Sequence, residues 1–264
     1  MSSTSSPPVR AGAVDDLATS TERTAWTFAG AAMRSADTTM TTLTEQALMA
    51  FSLHHWEEGV MLAAAADRGD PTLQAYLGYC HFHGKGVPRD VGTALLWFRR
   101  AAQQGNAMAM FNLGYCLYNG IGLVRDMSAA ATWFRGAAER GDAFAQRIMG
   151  VLYENGEGVP QDMVQAARWY ALAAGQGDAR AQCGYGICLK EGLGVARDPV
   201  AAVDWFRRSE QQGYPRAIFN LGVCYDEGDG VARNAYAAVD HWVRAARLGL
   251  DDAKRLLSER GIEW

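Results

Sequence analysis

From Asp70 to Gly249 the apolar residues recur with the period of an α-helix, broken at regular intervals by short polar stretches that carry glycine. Ala94, Trp97, Phe98, Ala101 and Ala102 stand at i, i+3, i+4, i+7 and i+8, the spacing that gathers side chains on one helical face. Upstream, Leu73, Leu77, Cys80 and His81 stand at i, i+4, i+7 and i+8 and predict a second helix. The short link between them predicts an antiparallel helical hairpin. This hairpin repeats at a fixed offset of 36 residues, without insertion, through five units: 70–105, 106–141, 142–177, 178–213 and 214–249.

Laid over one another, the units form columns with physical meanings. Trp97, Trp133, Trp169 and Trp205 share one column, and Phe98, Phe134, Tyr170 and Phe206 the next; the fifth unit has His241 and Trp242 instead. Asp90, Asp126, Asp162, Asp198 and Asn234 precede the second helix of each unit, where a side-chain oxygen can accept from the unpaired amides of the first turn. Asp70, Asn106, Asp142 and Asp178 do the same for the first helix. Glycine ends each second helix at Gly105, Gly141, Gly177, Gly213 and Gly249, and a Gly-x-Gly link such as Gly84-Lys85-Gly86-Val87 joins the two helices. A further column, Gly78, Gly114, Gly150, Gly186 and Gly222, falls inside the first helix, where each glycine costs about 1 kcal/mol relative to alanine. Its recurrence predicts that the second helix packs there too closely for a side chain.

The pattern Phe111-Asn112-Leu113-Gly114, Gly120-x-Gly122, Asp126, Ala130, Trp133, Ala137-Ala138 and Gly141 resembles the Sel1-like repeat, a relative of the tetratricopeptide repeat. The resemblance implies an all-α fold, a right-handed α-solenoid of antiparallel helical hairpins. Residues 1–42, rich in Ser and Thr and without an apolar period, are expected to be a disordered tail. Residues 43–69 read as a degenerate N-terminal capping unit, residues 70–249 as the five repeats and residues 250–264 as a C-terminal capping helix, because a solenoid must seal its ends.

Composition narrows the function. Glycine makes up 29 of 264 residues, about 11% against roughly 7% in an average protein, and the columns absorb most of the excess. A net charge of −4 gives no footprint for nucleic acid. No apolar run reaches the length that spans a bilayer, so membrane insertion is not expected, and the first thirty residues lack the order of a secretory signal. Cys80, Cys116, Cys188 and Cys224 share a column with Leu152, so that column asks only for a compact apolar side chain; with Cys183 the total is odd, and there is no Cys-x-x-Cys. Reduced thiols and a cytoplasmic protein are expected.

Chemistry finds no anchor. The Gly-x-Gly link follows a helix rather than a strand, and neither a Gly-x-Ser-x-Gly elbow nor a His-Glu-x-x-His stretch occurs. His54, His55, His81, His83 and His241 offer no spacing suited to a metal. No catalytic residue, cofactor or metal is therefore expected, and the chain reads as a non-enzymatic adaptor or scaffold, a monomer that binds a protein or peptide segment. By resemblance to tetratricopeptide repeats, the first helices line a concave groove. Its positions would be Tyr76, Tyr79, Phe82, Phe111, Asn112, Tyr115 and Tyr118 at an aromatic end, and Glu154, Asn220 and Asp226 further on. The aromatics would anchor apolar side chains of the partner while Asn112 and Asn220 hydrogen-bond its backbone; the alternative is that some of these aromatics simply pack between hairpins. The recurring arginines of the second helices, among them Arg99, Arg100, Arg135, Arg207 and Arg244, read as a solvated face, with a second, acidic partner as the alternative. The competing functional reading is an exported cell-envelope protein with peptidoglycan- or β-lactam-related activity or a role in host interaction. It would need export and a serine beside a lysine or other base.

Overall fold

The computed structural model describes residues 66, 67 and 69–264. The expected tail, residues 1–42, and nearly all of the expected N-terminal cap, residues 43–69, lie outside the described residues. Those described form eleven α-helices and no strand: α1 Pro71–His83, α2 Val91–Gln103, α3 Ala107–Asn119, α4 Met127–Glu139, α5 Ala143–Asn155, α6 Met163–Gly175, α7 Ala179–Glu191, α8 Pro199–Gln211, α9 Pro215–Glu227, α10 Ala235–Arg247 and α11 Asp251–Glu259. The fold is all-α, a succession of helical hairpins of the solenoid type.

The local reasons match the columns. Asp90 Oδ1 accepts from the Thr93 amide at 3.1 Å, and Asn106, Asp126, Asp142, Asp178, Asp198 and Asn234 accept from the third amide beyond each of them. Asp70 and Asp162 each receive two such amides. The first helices end on left-handed glycines, so that the Gly84 amide returns to the Cys80 carbonyl at 2.8 Å.

The described chain forms two compact units. The N-terminal unit holds the described residues up to Met149 together with Glu157–Val159, and the C-terminal unit holds Gly150–Gly156 and Pro160–Trp264. In the first, α1 packs on α2, α2 on α3 and α3 on α4; in the second, α6 to α11 pack each on the next. Within each hairpin the glycine inside the first helix meets an aromatic ring. A Cβ added to Gly78 or Gly114 would fall 2.7 or 2.8 Å from the ring of Phe98 or Phe134, and in the C-terminal unit one at Gly150, Gly186 or Gly222 would fall 2.5–2.6 Å from Tyr170, Phe206 or Trp242. The predicted close approach is present in all five repeats.

Consecutive hairpins are joined by the second glycine of each link. Gly122 sits against Val91, Gly158 against the Met127 carbonyl, Gly194 against the Met163 carbonyl and Gly230 against the Pro199 carbonyl, so each link closes on the start of the second helix one repeat earlier. The tryptophan column behaves differently from the aromatic beside it. Phe98, Phe134, Tyr170, Phe206 and Trp242 are buried, whereas Trp97, Trp133, Trp169 and Trp205 are only half-buried, two of them under arginine: Arg100 over Trp97 at 4.9 Å and Arg208 over Trp205 at 4.5 Å. In the C-terminal unit, Ala253 and Leu257 of α11 are buried with Trp242, and Arg260 stacks over that indole at 4.4 Å.

Candidate functional site

The first helices present few of the expected groove residues to solvent. Tyr76, Tyr79, Phe82, Phe111, Asn112, Glu154 and Asn220 are buried; Tyr115, Tyr118 and Asp226 are half-buried. Asn112 donates one amide hydrogen to the Met108 carbonyl of its own helix at 2.8 Å, and Asn220 donates one to Cys183 Sγ at 3.6 Å. Phe111 is packed on Phe134 at 5.5 Å between ring centroids and is likewise core.

Tyr79, Phe82, His83, Phe98 and Tyr115 of the N-terminal unit form one connected aromatic group. Tyr79 lies 4.3 Å from His83 between centroids, Phe82 lies 5.0 Å from His83 and 6.3 Å from both Phe98 and Tyr115, and the Lys85 ammonium reaches the Tyr79 hydroxyl at 3.5 Å. Burial pushes the Tyr76 phenol up to about 12 and raises that of Tyr115 above the ordinary range. Tyr118 donates to Glu157 at 2.6 Å beneath the Arg125 guanidinium. Tyr115 differs from Tyr118: it stands at the margin of the group, edge-on to Phe82, and its hydroxyl makes no hydrogen bond among the described residues.

The acidic end of the expected groove is bonded within the fold. Glu154 accepts the Tyr170 hydroxyl at 2.6 Å in a buried pair. Lys190 lies 2.9 Å from both Glu191 and Glu227, Arg197 lies 2.7 Å from Asp229, and Arg260 lies 2.8 Å from Asp226. Burial of Lys190 works against its charge, but its bonds to Glu227 and Glu191 outweigh that and hold the ammonium above its usual range. Asp226 therefore belongs to the junction with the C-terminal helix.

All five cysteines are unpaired and buried, and burial pushes each thiol up to about 12. Among the described residues no three His, Cys, Asp or Glu side chains gather as a metal would require, and no helix is long and apolar enough to cross a membrane.

Two columns that the sequence reading passed over hold the helix ends in place. Gln74, Gln146 and Gln182 each donate to a carbonyl near the end of the preceding second helix, those of Ala66, Ala138 and Ala174, at 3.1–3.3 Å. Arg89, Arg125 and Arg233 donate through Nε, and Gln161 through its amide, to the last carbonyls of the first helices, those of Phe82, Tyr118, Asp226 and Glu154, at 2.8–3.1 Å. The arginine and Gln161 set satisfies carbonyls that a helix leaves unpaired, whereas each glutamine is a second donor to a carbonyl that already accepts the amide of Gly69, Gly141 or Gly177. Their recurrence at the same 36-residue offset was the available signal.

Comparison with known proteins bears on this surface. The Sel1 repeat model matches residues 71–106, 107–142, 143–178, 179–214 and 215–250. The chain is similar to a solved Sel1 repeat protein from Oxalobacter formigenes, with 30% identity and a TM-score of 0.76 over 83% of this chain and 88% of that one. It is also similar to a solved protective antigen present in uropathogenic Escherichia coli strains, with 35% identity and a TM-score of 0.70 over 76% of this chain; it spans only 43% of that longer chain. No curated protein matches.

Proposed function

Because the chain belongs to the Sel1 repeat family, whose members are as a rule non-catalytic protein-interaction scaffolds, we propose that it holds a segment of a partner protein and performs no chemistry of its own. The contact point is the margin of the aromatic group in the N-terminal unit, where Tyr115 is the anchor. One observation carries this reading: a half-buried phenol, packed edge-on against Phe82, whose hydroxyl is left for a partner to bond. A rigid aromatic body with a polar tip is the residue type that concentrates binding energy at protein interfaces. Tyr118, already bonded to Glu157, flanks it. The five unpaired thiols support placing the protein in the cytoplasm, since a secreted chain tends to pair them.

The test is quantitative affinity capture on the full chain beside its Tyr115→Ala and Tyr115→Phe variants. Proteins held by the wild type should be depleted on Tyr115→Ala and partly retained on Tyr115→Phe, which keeps the ring and loses the hydroxyl. Equal retention by wild type and Tyr115→Ala would overturn the assignment.

A further inference from the structure

We propose that the outer face of α2 in the N-terminal unit is a second docking surface, separate from the Tyr115 margin, whose occupant is an acidic peptide segment carrying interspersed leucine. Leu96, Arg99, Arg100 and Gln103 stand at i, i+3, i+4 and i+7 of α2 and are all exposed. Leu96 exposes 59% of its surface, a large apolar side chain next to two cations. Beneath Arg100 lies the half-buried Trp97, whose ring holds the guanidinium at 4.9 Å and gives it an apolar floor. Arg140, at the end of α4, reaches back over the end of α2: its Nε would lie 3.4 Å from a Cβ on Gly105, and its Nη1 donates to the Gly136 carbonyl at 2.9 Å.

The charge on this face is uncompensated. Arg99, Arg100 and Arg140 make no ion pair among the described residues, and α2 contains no acidic residue. The acids nearest in sequence are Glu139, Asp142, which is buried and bonded to the Ala145 amide, and the capping residues Asp90 and Asp126. The two capping residues stand at the opposite ends of α2 and α4, with side chains bonded to the amides of Thr93 and Ala129. Two arginines on the second helices of the C-terminal unit are paired, Arg207 with Asp204 at 3.4 Å and Arg244 with Glu210 at 2.8 Å, whereas Arg208, like Arg100, lies over a tryptophan. A cation near a helix C-terminus is favourable by itself, and Arg100 shares that position with Arg208 and Arg244. Two exposed guanidiniums, a third reaching over from α4, and Leu96 beside an indole complement carboxylates interspersed with leucine.

The probe is a fluorescein-labelled peptide of repeated Glu-Glu-Leu triplets, titrated with the full chain by anisotropy. Binding is expected, weakening as salt is raised. The Arg99→Glu/Arg100→Glu double variant should lose about tenfold in affinity or more, while Arg207→Glu/Arg244→Glu changes it less than about twofold. Thermal unfolding of each variant checks that it is folded. A Gln-Gln-Leu peptide should not bind, and a Tyr115→Ala variant should bind the acidic probe as the wild type does, which separates this surface from the proposed groove. No binding of the acidic probe by the wild type, or equal loss in both double variants, would overturn the proposal. So would weakening by Tyr115→Ala as large as that by Arg99→Glu/Arg100→Glu.

Discussion

Gly114 and Phe134 touch so closely that a methyl group on the glycine would lie 2.8 Å from Cδ1 of the ring. This contact, between the first and second helices of one repeat, recurs with other aromatics in the remaining four and sets how near the two helices of a hairpin can come. Gly114→Ala should therefore destabilise the protein by up to about 2 kcal/mol. Overpacking costs roughly 1–3 kcal/mol, and the better helix propensity of alanine returns about 1. Gly175→Ala is the control. That glycine is helical and exposed, with nothing within 4 Å of an added Cβ, so the propensity gain should appear alone as about 0.5 kcal/mol of added stability. Urea unfolding of both variants distinguishes the two signs, and a stabilised Gly114→Ala would mean that the helices separate freely.

A helix-ending glycine and a link glycine separate backbone strain from close approach. Gly177 has φ +96° with nothing near an added Cβ, whereas Gly194 has φ +71° and its Cβ would fall 2.0 Å from the Met163 carbonyl oxygen. Gly177→Ala should cost about 1–2 kcal/mol, the penalty of the left-handed conformation alone. Gly194→Ala must also push the next hairpin off the start of α6, because its neighbour is backbone and cannot rotate away, and should cost more than about 3 kcal/mol. Thermal or urea midpoints measure the difference, and equal costs would mean that the link does not clamp α6.

The buried thiols give the stability a pH dependence. Burial raises Cys80, Cys116, Cys183, Cys188 and Cys224 from 9.0 to about 12, so the folded state holds protons that the unfolded state releases first. Their stabilising contribution is complete below pH 9 and is lost as the pH climbs through the folded value, with a limiting slope of about 1.4 kcal/mol per pH unit for each thiol. The urea midpoint should stay level up to about pH 8 and fall steadily beyond about pH 9. In the same range Ellman's reagent should label the native protein slowly and the unfolded protein at once, five thiols per chain. Fast labelling of the native chain, or a midpoint unchanged up to about pH 11, would contradict the burial of these groups.

The sequence by itself determined the helices, their caps and their links, because these are short-range matters. Asp90 accepts from an amide three residues on and the Gly84 amide donates to a carbonyl four residues back, so the residue types and their spacing suffice. The same 36-residue register also exposed the glycine column and its closeness to the second helix. What tertiary structure alone decided is which side of each helix is spent internally. Trp97 and Phe98 are adjacent in sequence and both fit the apolar face, yet only Phe98 is buried, because the small rotation that chooses between them is set by the ring packing against Gly78. Asn112 and Asn220 read alike as polar positions of a groove, but packing brings one onto its own helix and the other towards Cys183, 37 residues away. Asp226 was legible as a surface acid, but its pairing with Arg260, 34 residues further on, is not contained in any local pattern. Helical period fixes a face only to within a residue or so. Which polar groups remain for a partner depends on contacts between hairpins, made by residues far apart in the chain.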